Sequence, residues 1–194
     1  MAKSFKVTAF PADISVVTLS EAKDHLRVSN TDDDTLITNL ILAATQAAQN
    51  YTNRFFINHS VRMDCDTWDE TLYFYKSPVF SSTTIEYYGT SSTVYDVWDS
   101  VNYIVDKVHE PARLLLQADK SYPTLADRKA AIKLTYVSGY GTAASDVPQA
   151  IKQAVLLMIG NFYENRQEVV VGRIATEMPK SAQYLLDQYK VQIT

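Results

Sequence analysis

Apolar positions recur at helical spacing near both ends of this 194-residue chain and alternate at strand spacing between them. The first helix is signalled by Thr18-Leu19-Ser20-Glu21, a capping box in which Thr18 accepts from the Glu21 amide and Glu21 reaches back to the Thr18 amide. Leu19, Ala22 and Leu26 then mark one apolar face, and the helix should end near Val28-Ser29-Asn30. A second helix opens at Asn30-Thr31-Asp32-Asp33-Asp34, where side-chain oxygens are expected to cap free amides and the carboxylates to oppose the positive helix end. Leu36, Leu40, Ala44, Ala47 and Tyr51 form its stripe, widened by Ile37, Ile41, Ala48 and Phe55. Thr38, Asn39, Thr45, Gln46 and Gln49 are placed largely on the other side. From Asp33 to about Asn53 this helix would be roughly 30 Å long.

Between Ser60 and Ser138 the period changes to two. Alternating or β-branched segments recur at Val61–Asp66, Thr71–Tyr75, Thr83–Tyr88, Thr93–Trp98, Tyr103–Val108, Arg113–Gln117 and Ile132–Val137, divided by Pro, Gly, Ser and Asp turns. Most of the 13 Tyr and both Trp lie between Thr67 and Tyr140, as half-buried pleated surfaces favour. A small antiparallel sandwich or barrel is expected there.

A third helix begins near Asp146-Val147-Pro148, with the proline in the first turn. Between Ala154 and Gly160 no polar side chain occurs on any face. A helix apolar all round must be enclosed on all sides, by its own domain or by a neighbouring subunit that supplies the missing wall. Gln167–Met178, with Val169-Val170-Val171-Gly172-Arg173 inside it, reads as a loop or a conditional strand. A short last helix should start from Pro179 and carry Ala182, Leu185, Leu186 and Tyr189. The fold class is therefore α+β. An α-helical bundle, residues 1–59 and 139–194, would hold an inserted antiparallel β-domain of residues 60–138 on its periphery.

Composition narrows the function. Eighteen Lys and Arg against 22 Asp and Glu give a formal charge of −4, which argues against a chain that grips nucleic acid through its phosphates. Cys65 stands alone, so no internal disulfide can form, as suits a reducing cytoplasm. The N-terminus lacks the apolar stretch of a signal peptide, and the most apolar run falls far short of a membrane span.

Candidate chemistry is sparse. Gly139-Tyr140-Gly141-Thr142-Ala143-Ala144 fits G-x-G-x-x-A, yet no βαβ unit precedes it and the helix starts several residues late. A glycine-bearing turn leaving a strand accounts for it better. Asp32-Asp33-Asp34 lacks the glycine and distal Glu of a calcium loop, and helix capping explains it. Asp64 and Asp66 read as an exposed strand face flanking an inward Cys65. His25, His59 and His109 have no zinc-ligand spacing. The expectation is no catalytic residue, no cofactor and no metal.

Read together, the ends of the chain resemble head–tail connector proteins, also called adaptor or head-completion proteins, of long-tailed phages. The first block is Val17-Thr18-Leu19-Ser20-Glu21-Ala22-Lys23-Asp24-His25-Leu26-Arg27-Val28, then Asp32-Asp33-Asp34 and the helix to Tyr51-Thr52-Asn53-Arg54. The second is Val137-Ser138-Gly139-Tyr140-Gly141, Val147-Pro148-Gln149-Ala150-Ile151-Lys152-Gln153-Ala154 and Asn161-Phe162-Tyr163-Glu164-Asn165-Arg166. Leu185-Leu186-Asp187-Gln188-Tyr189-Lys190 is similar to the family's tail helix. Gln167 stands where an acidic residue is expected, and Lys190 where arginine is commoner.

The resemblance implies a structural virion protein made in the bacterial host cytoplasm. It would form a homo-oligomeric ring, usually of twelve copies, under the phage portal protein, extending the DNA channel and presenting its far face to a stopper or tail-completion protein. DNA would pass without sequence-specific binding, and no membrane is involved. Leu40, Ala44, Val155, Met158, Ile159 and Phe162 are the expected bundle or subunit interface, with Arg27, Arg54, Glu164 and Arg166 as polar contacts at that boundary. The tail from Gln167 to Thr194, with Tyr184, Leu185, Leu186 and Tyr189, is the candidate for portal docking. A net-acidic chain suits a channel through which DNA must slide, so Asp and Glu should outnumber Lys and Arg at the lumen. The competing readings are another phage morphogenesis module, such as a stopper or tail-terminator, and a nucleotide-binding enzyme acting through Gly139–Ala144.

Overall fold

The computed structural model describes residues 3–165 and 178–192, and shows a mixed α+β protein. The chain forms two compact units. One combines the residues up to Pro11 with Asn58–Tyr140 and the chain from Val191; the other combines Ala12–Ile57 with Gly141–Lys190. The N-terminal residues and the last few therefore belong with the strands, which differs from the division expected above.

The helical unit contains α1 (Leu19–Leu26), α2 (Asp34–Thr52), α3 (Gln149–Glu164) and α4 (Lys180–Asp187). The capping box at Thr18 forms as expected: the Glu21 amide donates to Thr18 Oγ1 at 3.2 Å and the Thr18 amide donates to Glu21 Oε2 at 2.6 Å. That amide bond, with the Thr18 hydroxyl, holds the Glu21 carboxyl below its ordinary pKa. Arg27 and Asn53, at φ 58° and 56°, turn the chain out of α1 and α2 in the left-handed conformation.

Two readings of α2 need correction. Its buried residues are Ile37, Ile41, Ala44, Thr45, Ala48, Gln49 and Thr52, while Leu36, Leu40, Ala47 and Tyr51 are only half-buried. The buried face is rotated toward Thr45 and Gln49. Local bonds let two of its polar side chains go inside: Thr52 Oγ1 donates to the Ala48 carbonyl at 2.8 Å, and Gln49 Oε1 accepts from the Phe56 amide at 3.0 Å. Second, the aspartate run does not cap. Asp33 occupies the N-cap position without a side-chain cap bond and instead accepts from the Tyr163 hydroxyl at 2.5 Å. Asp34 pairs with Lys23 of α1 at 2.5 Å. These carboxylates tie α2 to α3 and α1.

Helix α3 packs against α1, α2 and α4. Ile151, Ala154, Val155 and Ile159 are fully buried, and Met158 is 1% exposed. The chain itself encloses most of this run, while Leu156 and Leu157 stay half-buried.

The other unit holds β1 (Lys3–Ala9), β2 (His59–Cys65), β3 (Leu72–Tyr73), β4 (Val79–Tyr87), β5 (Asp96–Val97), β6 (Tyr103–Asp106), β7 (Arg113–Leu116) and β8 (Ile132–Ser138). They form antiparallel sheets in the orders β1-β2-β8-β4-β5 and β3-β7-β6. The seven strand segments read from the sequence are all present in shorter or longer form; β1, at the edge beside β2, was not foreseen. In β2 and β8 every second residue is buried, including Val61, Met63 and Cys65 against Tyr136, Leu134 and Ile132. Cys65 is thus the inward residue its setting suggested. Phe74 meets the Tyr136 ring edge-on at 5.0 Å, and the Tyr75 amide donates to the Tyr136 hydroxyl at 3.1 Å, joining the chain after β3 to β8. Trp68, Trp98 and Tyr122 stack within 4.8–5.7 Å of one another, and the Trp68 indole donates to the Pro123 carbonyl at 2.9 Å.

Candidate functional site

The residues singled out from the sequence separate by burial. Ala44, Val155, Met158 and Ile159 lie inside the helical unit, so they hold that unit together and are not offered to another subunit. Leu40 and Phe162 are half-buried, and Leu42, not anticipated, is exposed on α2. Among the polar candidates, Arg27 and Glu164 are exposed, and Arg166 lies outside the described residues.

Arg54 behaves differently. It is only 4% exposed, and its Nε donates to the Tyr189 carbonyl just beyond α4. It fastens the end of α2 to the C-terminal stretch of the same unit. Arg54→Met keeps most of the apolar stem but removes the donor, and should destabilise the chain by about 2 kcal/mol, read from denaturant unfolding. A cost below about 0.5 kcal/mol would show that the bond is dispensable.

Helix α4 is also held. Ala182 and Leu186 are fully buried, so Leu186 is a core residue and leaves the docking set. The Tyr51 hydroxyl donates to Asp187, a bond that raises the phenol pKa, and Lys190 sits 4.7 Å from the centre of the Tyr51 ring. Leu185 and Tyr189 are half-buried, whereas Tyr184 is 79% exposed. The stretch Gln167–Met178, read as a loop or conditional strand, lies outside the described residues up to Met178.

The glycine loop has a structural explanation. Gly139 has φ +149°, and a β-carbon there would come within 2.6–2.7 Å of Asn58, its backbone included. A β-carbon on Gly141 would run into the Asp146 carboxylate. That carboxylate accepts from the Ala143 amide at 3.0 Å. The loop's glycines thus admit its own chain and its own acid, where a dinucleotide loop would hold a pyrophosphate against a helix N-terminus.

One charged cluster, at the β6–β7 turn, was not foreseen. Asp106 Oδ2 meets His109 Nδ1 at 2.6 Å and Arg113 Nε at 3.0 Å, while Oδ1 accepts from the Val108 and His109 amides. Desolvation raises the Asp106 pKa, but these donors together outweigh it and bring the value down to about 2. The folded value is below the ordinary 3.8, so the cluster's contribution is complete above about pH 4 and is lost as pH falls through about 2. The stability gap between the native chain and Asp106→Asn should therefore be flat above pH 5 and close below pH 4. A gap that persists unchanged at pH 2 would contradict this.

The same unit exposes apolar side chains that the sequence reading passed over: Phe80, Val97, Val101, Ile104 and Val108. Alternation marks outward positions but cannot tell solvent from a partner. Among the described residues, no group of His, Cys, Asp and Glu could hold a metal ion, and no helix is long and apolar enough to cross a membrane.

Comparison with known proteins adds the context. No curated protein matches. Three solved structures share the fold, each at 16% identity. The first, from the "neck of empty GTA particle computed with C6 symmetry", has a TM-score of 0.75 and covers 98% of this chain and 97% of its own. The second, from the "virion of native gene transfer agent (GTA) particle", has a TM-score of 0.75 over 98% and 96%. The third, from the "neck of native GTA particle computed with C12 symmetry", has a TM-score of 0.72 over 97% of each. Residues 16–76, which span α1, α2 and the first strands after them, match the family described as phage gp6-like head-tail connector protein, the family that the N-terminal block resembles.

Proposed function

We propose that this protein is a structural subunit of the neck of a tailed, phage-like particle, present there as a closed ring of identical copies. The observation that carries the reading is one of extent. The connector family matches the N-terminal block, and the fold of neck proteins, from structures computed with C6 and C12 symmetry, extends over 97–98% of the chain. Burial of α3 lends no support of its own, because Met158 is already enclosed within one chain. The ring rests on the family and the fold.

In this reading twelve copies sit under the portal, the helical unit forming the body of the ring. The channel passes DNA without reading its sequence, and acidic side chains outnumber basic ones along it, since a basic wall would retain DNA through counterion release. Leu40, Leu42 and Phe162 remain available to a neighbouring copy, and Tyr184, with Leu185 and Tyr189 beside it, to the portal. No catalytic step is assigned. Mass spectrometry of purified particles tests this: the chain should be present at about twelve copies per particle and depart with the neck when heads and tails are separated. Its absence from intact particles would overturn the reading.

A further inference from the structure

Strand β1 forms one edge of the five-stranded sheet and β5 the other. Open edges invite foreign strands, and native ones are usually guarded by lysines, bulges or a covering segment. Two of these guards stand on β1: Lys6 is exposed, and the register with β2 slips between Val7 and Ala9. The edge is ill suited to pairing, yet a large apolar side chain follows it. Phe10 is 72% exposed and set edge-on against the His59 ring at 5.9 Å, while His59 itself is 3% exposed. An aromatic ring held in place on a buried neighbour and still facing outward is a preformed knob.

The opposite edge carries a matching hollow. A groove of about 430 Å³ is lined by Thr83, Ile85, Val97, Trp98 and Tyr103 among others, with Val97 67% exposed. Strand addition is hindered there too, because β4 has two carbonyls already engaged beyond its short pairing with β5. Thr83 accepts from the Tyr103 hydroxyl at 3.4 Å and Phe80 from Lys107 Nζ at 3.1 Å. What this groove can still receive is a side chain, and its apolar and aromatic walls suit a phenyl ring. Charge agrees. Residues 1–12 contain Lys3 and Lys6 and no acid, whereas residues 87–105 contain Asp96 and Asp99 and no Lys or Arg. Lys133 and Arg128 lie against the Tyr95 ring, but among the described residues Asp99 is the one charged group lining the groove. Knob and groove are different surfaces at opposite edges of one sheet. Copies joined through them repeat head to tail, and such a contact can close into a ring, as a self-complementary one would not.

We propose that Phe10 of one copy seats in the groove beside Val97, Trp98 and Tyr103 of the next copy, with the lysine-bearing β1 edge facing the Asp96–Asp99 stretch. This inference rests on the ring proposed above. Strands β4 and β5, which wall the groove, lie three and four strand spacings from β1, about 14–19 Å away. A short cross-link from position 10 into the groove must therefore come from another copy. Particles would be assembled with the full-length chain carrying p-benzoylphenylalanine in place of Phe10, then irradiated, run on a denaturing gel and mapped by mass spectrometry. The expected result is a ladder of chain-to-chain products whose cross-links fall on residues 83–85 or 97–103. Lys6→Glu in the same chain should lower their yield about twofold to fivefold, the range for an exposed ion pair. A yield indifferent to Lys6→Glu overturns the charge pairing. Electron micrographs of the same particles separate the docking from the ring. Neck rings whose position-10 cross-links fall elsewhere on the copy, on another neck protein or nowhere overturn the docking and leave the ring standing. Necks lacking the chain altogether overturn both.

Discussion

Gly139→Ala should destabilise the strand-bearing unit by about 3 kcal/mol or more. Two costs add there. The φ of +149° lies where residues with a β-carbon are strained by about 1–3 kcal/mol. The new methyl would also meet the Asn58 backbone at 2.7 Å, and backbone gives way less readily than a side-chain tip. Relief would have to shift the start of β2 or the end of β8, which pair through His59 and Ser138. Urea unfolding of the purified chain should show a lower midpoint at an unchanged slope. A loss below about 1 kcal/mol would mean that the loop relaxes freely and that Gly139 is not required by its packing.

Met158→Ala should cost about 2–5 kcal/mol, the range for truncating a long apolar side chain in a packed core. The full cost should be present in the dilute, unassembled protein, because α1, α2 and α4 already surround Met158. By contrast, Leu42→Ser, at an exposed position on α2, should leave unfolding within about 0.5 kcal/mol of the native chain. Should Met158→Ala prove silent in the dilute protein and harmful only on assembly, the helix would be sealed by a neighbour, contrary to the packing described here.

The sequence was most informative where local signals agree with tertiary needs. Thr18 and Glu21 serve each other across one helical turn, so their capping box was legible without any tertiary contact. The alternation in β2 and β8 was visible because these two central strands bury one face and wet the other. Strand β1 was missed because an edge strand carries little periodic signal and owes its conformation to pairing with β2. On α2 the buried face was misphased, since polarity was taken as a mark of exposure. Thr52 and Gln49 go inside because the Ala48 carbonyl and the Phe56 amide satisfy them, and such bonds have no sequence signature. Asp33 and Asp34 were given to the helix end by the same local logic. Tyr163 and Lys23, distant in sequence, claim them instead.

The assembly surface was harder to read. An apolar helix such as α3 signals that something must enclose it but not whether the cover comes from the same chain. Ala44, Val155, Met158 and Ile159, expected at a bundle or subunit interface, are buried within the helical unit itself. Conversely, Val97 and Ile104 are exposed aliphatics on short strands and Val108 follows one, and single outward residues in such places are ordinary.

The central claim is best tested by cryo-electron microscopy of the neck of particles built with this protein. The account predicts a twelve-fold layer of density into which both units of the chain fit, surrounding an open channel whose wall carries more carboxylates than basic side chains. A neck in which this chain occupies no symmetric ring, or a ring whose channel is lined by a continuous band of Lys and Arg, would contradict it.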